Sequence, residues 1–354
     1  MERNSFISVF NKLPAACCIA LLLIALCEAA INRFDCYFYK PDYQNLRIAI
    51  KSRVSQTRAC DFDVIALGDC YLTVGYIPSL LKEKTGLSGY NFSTNQRCTV
   101  LSACAMLNNY LGTCAKKPQY ILVAFIPSSI GLTKEFIIEA MPNHYPSFYD
   151  IRRGCRLTLI KEFGLEVGLR LLLPSLNYQQ RIKDFLSQRS LYSKRTFEQV
   201  DNFIESVNTE NGYYPYRVDD IYNEWETENQ ENQKPLVVSS LFSGYFAKML
   251  DLAKIHGIKV IYILPALPPD ILAVYKKSRG IEKIIIFLKN LQKDYPNLLV
   301  ADPQHLMTER EMFVDKIHLN GKGARILTTF IADRIKYIET NEKLTNAAST
   351  LPAK

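Results

Sequence analysis

The stretch Asp63-Val-Ile-Ala-Leu67-Gly68-Asp69-Cys70 decides the fold. Its apolar residues form a short run, Gly68-Asp69-Cys70 makes a turn, and a helical spacing follows from Tyr71 to Lys84. Apolar run, tight turn and helical period read as strand, turn and helix. The same unit recurs outward along the chain. Tyr90-Asn-Phe92 is a short strand, and Gln96 to Leu111 carries helical spacing. Tyr120 to Ile126 is a continuous apolar run, as expected of a strand buried on both faces of a parallel sheet. Leu241 to His256 is an amphipathic helix stopped by Gly257, and Ile258 to Leu264 is the next buried strand. Pro269 to Lys293 is mostly helical, Leu298 to Ala301 is the last strand, and Gly323 to Tyr337 is the last helix. Repeated strand–helix alternation predicts an α/β fold. The expected architecture is three-layer α/β/α, with a mostly parallel five-stranded sheet in the order 2-1-3-4-5.

Composition narrows the function. The 354 residues are 48% hydrophobic and 22% charged, enough to bury a large core. The net charge of +8 is a mild excess without a dense Lys/Arg block, so a nucleic-acid partner is not expected. Gly is scarce at 15, against a Gly-rich phosphate cradle. The four histidines, His144, His256, His305 and His318, show no metal-ligand spacing, so neither a metal nor a cofactor is expected.

The chain divides as follows. Residues 1–12 are an N-terminus carrying Arg3 and Lys12, and residues 13–31 are an apolar segment interrupted by Pro14 and Glu28. That length is close to the roughly 20 residues that cross a bilayer. The positive flank predicts a single-pass anchor with the rest of the chain outside the cytoplasm, periplasmic or extracellular. A cleaved signal fits the short apolar core too, and a buried helix is the third reading. Residues 32–59 read as a linker, 60–338 as the domain, 131–235 as a helical insertion over one sheet edge, and 339–354 as a flexible tail. Within the insertion, Asn223 to Gln233 reads as a solvated loop. Tyr213, Tyr214 and Tyr216 are either a sugar-stacking platform or packing. Three cysteines lie in the leader, and seven lie between 36 and 155. With Cys70 unpaired, the other six form up to three bridges or remain buried thiols.

In such a sheet, reactive groups gather where strands end. Gly68-Asp69-Cys70 arrives there after the first strand, Asn91 to Asn95 after the second, and Asp315-Lys-Ile-His318-Leu-Asn320 just before the last helix. Cys70 is the candidate nucleophile, His318 the general base and Asp315 the group that orients it. Asp69 is also a candidate helix cap. Asn91-Phe-Ser93 matches a glycosylation acceptor, but its place at a strand end argues against that use.

Gly68-Asp69-Cys70 near the start, with Asp315-x-x-His318-Leu-Asn near the end, resembles the SGNH, or GDSL, hydrolase superfamily over about residues 60–338. The run Phe125-Ile-Pro127-Ser128 and the phrase Phe313-Val-Asp315-Lys-Ile-His318-Leu-Asn-Gly-Lys-Gly323 are similar to its anchored extracytoplasmic branch. That branch includes proteins of teichoic-acid D-alanylation and alginate O-acetylation. The resemblance implies a flavodoxin-like SGNH fold and an acyl esterase or O-acyltransferase. The substrate it implies is a cell-envelope polysaccharide or acyl donor, and a multi-pass membrane acyltransferase is a possible partner. The family nucleophile is Ser, where this chain has Cys70. The oxyanion Gly aligns with Ser93, and the family Asn falls near Ser128, with Asn95 as a substitute. A degenerate member that binds a polymer or an acyltransferase partner without chemistry is the alternative.

Overall fold

The computed structural model describes residues 17–30, 50–57, 61–94, 100–132, 160–177, 205, 209–214 and 236–349. Five strands form one all-parallel sheet: β1 (Val64–Gly68), β2 (Gly89–Asn91), β3 (Tyr120–Ala124), β4 (Lys259–Ile263) and β5 (Leu298–Ala301). Their order is β2-β1-β3-β4-β5, with Val64 in register with Gly89 on one side and Tyr120 on the other. The expected strand order therefore holds.

Side-chain alternation explains the layering, because successive residues of a strand point to opposite faces. Ile65, Leu67, Ile121, Val123, Val260 and Tyr262 face one core. It is closed by α3 (Val100–Thr113), α6 (Ser240–Ile255) and α8 (Gly280–Asp294). Val64, Ala66, Leu122, Ala124, Ile261 and Ile263 face the other. That core is closed by α1 (Cys70–Gly75), α2 (Pro78–Thr85) and α9 (Gly321–Ser349). Both faces are apolar and covered, which is why the strands read as uninterrupted hydrophobic runs.

Several boundaries differ from the sequence reading. Pro78 starts a new helix after Tyr76 and Ile77, so the pattern from Tyr71 to Lys84 is two helices. Arg279 adopts a left-handed conformation (φ 56°) and separates α7 (Pro269–Lys277) from α8. The last helix runs on to Ser349, beyond Tyr337. No Gly or Pro interrupts it after Gly323, and Glu342 pairs with Lys259 of β4. The segment read as a linker contributes a helical stretch at 50–55, in which Lys51, Ser52 and Ser55 are fully buried.

The short helix α4 (Pro127–Ile130) precedes the insertion, and α5 (Leu165–Leu172) is described within it. Residues 209–214 lie along the β2 edge, where Asn91 N donates to Asn211 O at 2.9 Å. Tyr213 is buried and serves packing; Tyr216 and Asn223 to Gln233 lie outside the described residues. Cys70, Cys104 and Cys114 are buried and in no disulfide, and burial pushes the Cys104 thiol up to about 11. Any bridge would have to involve Cys36, Cys60, Cys98 and Cys155, which lie outside the described residues. Residues 17–30 are helical, and among the described residues no helix is long and apolar enough to cross a membrane.

Candidate functional site

The first part of the site is built by a close approach of backbones. β1 ends at Gly68, where a Cβ would lie 2.1 Å from Ala124 O of the neighbouring strand. Only glycine fits there. Asp69 N donates to that same carbonyl at 3.3 Å. The fully buried Asp69 side chain then makes two bonds of different reach. One oxygen caps α1 by accepting from Tyr71 N at 3.1 Å. The other accepts from Ile126 N at 2.7 Å, tying the end of β1 to the end of β3. Burial pushes the Asp69 carboxyl up to about 6, against the lowering effect of the Ile126 and Tyr71 N–H groups, nearby Ser129 and the charge of His318. Ser129 Oγ is near enough to act on this carboxylate, yet it is buried outside hydrogen-bonding geometry to any described residue.

Cys70 is the first residue of α1 and retains 8% exposure. Behind it, Tyr71 accepts from Ala266 N at 3.0 Å through its hydroxyl, which fixes α1 to the loop after β4.

The turn before α9 is held mainly by its own residues. Asp315 Oδ1 accepts from Ile317 N at 2.9 Å and from His318 N at 2.8 Å. Its Oδ2 lies 2.6 Å from His318 Nδ1. Burial raises the Asp315 carboxyl, but the hydrogen bond and charge of His318 and the two N–H groups outweigh it, so the group sits below its ordinary range. A proton on Nδ1 engaged by the carboxylate leaves Nε2 as the basic nitrogen. The base of the turn is closed by Val314 N donating to His318 O at 2.8 Å. Asn320 Oδ1 accepts from Lys322 N and Gly323 N at the start of α9.

These two parts meet. Leu319, Ile317 and Cys70 belong to one packed cluster, and a Cβ on Gly75 of α1 would lie 3.1 Å from Leu319 Cδ1. Asp69 is within electrostatic reach of His318. The Asp315–His318 turn therefore lies within electrostatic reach of Asp69, the residue that precedes Cys70 at the end of β1.

The oxyanion candidates fare differently. Ser93 is buried at the end of β2, but its N–H already donates to Asn91 Oδ1 at 3.1 Å. Ser128 is exposed on α4, and its buried neighbour Ser129 is the residue near Asp69. Asn95 lies outside the described residues. Asn91 is structural: its fully buried Nδ2 donates to Leu72 O at 2.8 Å and Tyr76 O at 3.0 Å, which leaves no room for a glycan.

Sequence reasoning missed Lys51. Its fully buried ammonium donates to Ser93 O, placing a cation against the corner that follows β2. Beside it, Ser93 Oγ and Thr94 Oγ1 are buried without a hydrogen-bond partner among the described residues. A single lysine carries no sequence signal for burial.

The chain matches no family model and no curated protein.

Proposed function

We propose that the protein is a membrane-anchored, extracytoplasmic acyl esterase or O-acyltransferase of the SGNH type, acting on a cell-envelope polysaccharide through Cys70, His318 and Asp315. The observation that carries this reading is the 2.6 Å contact between His318 Nδ1 and Asp315 Oδ2, in a turn packed beside the helix that Cys70 begins. An imidazole oriented through Nδ1 would take the proton of a nucleophile at its other nitrogen. In the proposed reaction, the Cys70 thiol loses its proton to His318, and sulfur adds to the acyl carbonyl. The alcohol then leaves with a proton returned by His318. Water or a sugar hydroxyl, deprotonated by His318, next attacks the thioester and regenerates the thiol. The strand order supports an SGNH, flavodoxin-like arrangement of these parts. Membrane attachment rests on the apolar run at 13–31 and on Arg3 and Lys12.

A second reading has its own observation. The Ser93 N–H, which the resemblance assigns to an oxyanion, is engaged by Asn91, and Cys70 is mostly covered. Both favour a degenerate member that binds a polymer or a multi-pass acyltransferase without chemistry. Aryl-ester hydrolysis and thiol labelling of wild type, Cys70→Ser, Cys70→Ala and His318→Ala separate the two. The enzyme reading expects Cys70→Ala and His318→Ala each to lose about 10²-fold or more, with Cys70→Ser retaining turnover. Equal rates in all four proteins would remove Cys70 from catalysis and leave the binding reading.

A further inference from the structure

We propose that the exposed leucine face of α5 lies in the lipid headgroup–acyl boundary beside the N-terminal helix, so that the domain meets the bilayer at a second point. This rests on the reading of the N-terminal segment as a membrane anchor.

The inner face of α5 is fixed. Val167 is fully buried in the core that covers α3 and α6, and a Cβ on Gly168 would lie 2.7 Å from Ile160 Cγ1. The outer face is apolar and open: Leu165 is 71% exposed and Leu169, one turn on, is 42% exposed. Residues four apart lie on one stripe of a helix. Charge borders that stripe, with Glu166 and Arg170 paired at 3.5 Å and Lys161 exposed just before the helix. An apolar stripe with a charged border is the pattern of a helix lying in a membrane interface.

The position of α5 in the molecule names the occupant. α5 leads through Leu173 into a short 3₁₀ turn, Pro174–Asn177. There Ser175 N donates to Glu28 Oε2 at 3.1 Å, and Ser175 Oγ donates to the other oxygen of the same carboxylate. Glu28 lies near the end of the helical residues 17–30, whose Ile19, Leu21, Leu22, Leu23, Ile24 and Leu26 are each at least half exposed. The contact therefore joins the C-terminal end of α5 to the foot of the apolar segment. With those leucines in hydrocarbon, Glu28 and Ser175 sit at the level of the headgroups. An eight-residue helix is about 12 Å long, so Leu165 and Leu169 stay within that distance of the interface.

Depth-dependent quenching by brominated phosphatidylcholine tests the placement on the full chain reconstituted in vesicles. The native chain has one tryptophan, Trp225, which is replaced by Phe in every sample. Leu22→Trp reports on the anchor, Leu169→Trp on α5, and Ile286→Trp on an exposed site of α8. Brominated lipid is expected to quench Leu22→Trp and Leu169→Trp to within a factor of about two of each other and to leave Ile286→Trp unchanged. Quenching of Leu22→Trp without Leu169→Trp overturns the inference while the anchor stands; a protein partner or another segment then covers α5. An unquenched Leu22→Trp overturns the anchor reading and the inference with it. Equal quenching at all three positions overturns the specific role of α5.

Discussion

Two carboxylates flank the candidate site, and the protein holds them in opposite ways. Asp69 is fully buried, is bonded to an N–H on another strand's exit loop, and is pushed up to about 6. Asp315 is two-fifths exposed, bonds among the described residues within its own four-residue turn, and is held below the ordinary carboxylate range. One is a tertiary joint that tolerates its charge poorly. The other is a local device whose charge is satisfied at hand. The Asp69 end of the site should therefore be costly to alter for stability, and the Asp315 end, under the esterase reading, costly mainly for chemistry.

The largest effect is expected at Gly68. Gly68→Ala would drive a methyl into Ala124 O, which is backbone and cannot move without breaking the β1–β3 pairing. The expected loss is about 3 kcal/mol or more in urea denaturation, at or above the upper end of ordinary overpacking because the atom met is backbone. Gly112→Ala, in α3 where nothing lies within 4 Å, is the counterpart and should stabilise by about 0.5–1 kcal/mol. Similar outcomes at the two positions would contradict the close approach.

The next effect is a pH dependence. Raising a carboxyl from 3.8 when unfolded to about 6 when folded adds stability that is complete below the unfolded value. It is lost as pH rises through about 6, and the difference amounts to about 3 kcal/mol. Asp69→Asn should abolish this part of the slope, so the wild type should gain on the variant as pH falls from 7 to 4. Parallel curves for the two proteins would show that Asp69 titrates normally.

A third effect, about 2 kcal/mol, is expected for Asn91→Ala. It would take the amide donor from the buried carbonyls of Tyr76 and Leu72, of which Leu72 O keeps the Tyr76 N–H, and release the Ser93 N–H. Under the esterase reading, that freed N–H makes a specific readout. Turnover per folded molecule should hold or rise while the melting temperature falls. A parallel loss of both would mean that Asn91 orders the site as well as the fold.

How much of this was legible follows from the range of each interaction. The strands were readable because burial on both faces leaves continuous apolar runs such as Tyr120 to Ala124. The Asp315–His318 contact was readable because both partners lie in one short turn. What escaped depends on long-range partners or on helix rotation. Lys51 is buried where the Ser93 carbonyl, 42 residues away, receives its ammonium. The choice between Ser128 and Ser129 depends on how α4 is rotated, and a four-residue helix has too little pattern to set that. Asp69 was recognisable as a cap, but its bond to Ile126 spans 57 residues and leaves no trace in local sequence.

The smallest effect on stability, and the sharpest test of the comparison, belongs to Asp315→Asn. An amide keeps one oxygen for the Ile317 and His318 N–H groups, and solvent screens a side chain this exposed. The expected cost is therefore no more than about 1 kcal/mol. The sign of its pH dependence is opposite to that of Asp69. A folded-state pKa below the unfolded value adds stability present above the ordinary carboxylate range and lost as pH falls through the folded value. Wild type and Asp315→Asn should thus converge on acidification, where wild type and Asp69→Asn diverge. Under the esterase reading the same amide cannot compensate an imidazolium, and ester hydrolysis should fall by about 10²–10⁴-fold with little change in melting temperature. A large loss of stability with unchanged hydrolysis would reverse the assignment, making Asp315 the structural carboxylate and leaving His318 without its orienting partner in the reaction.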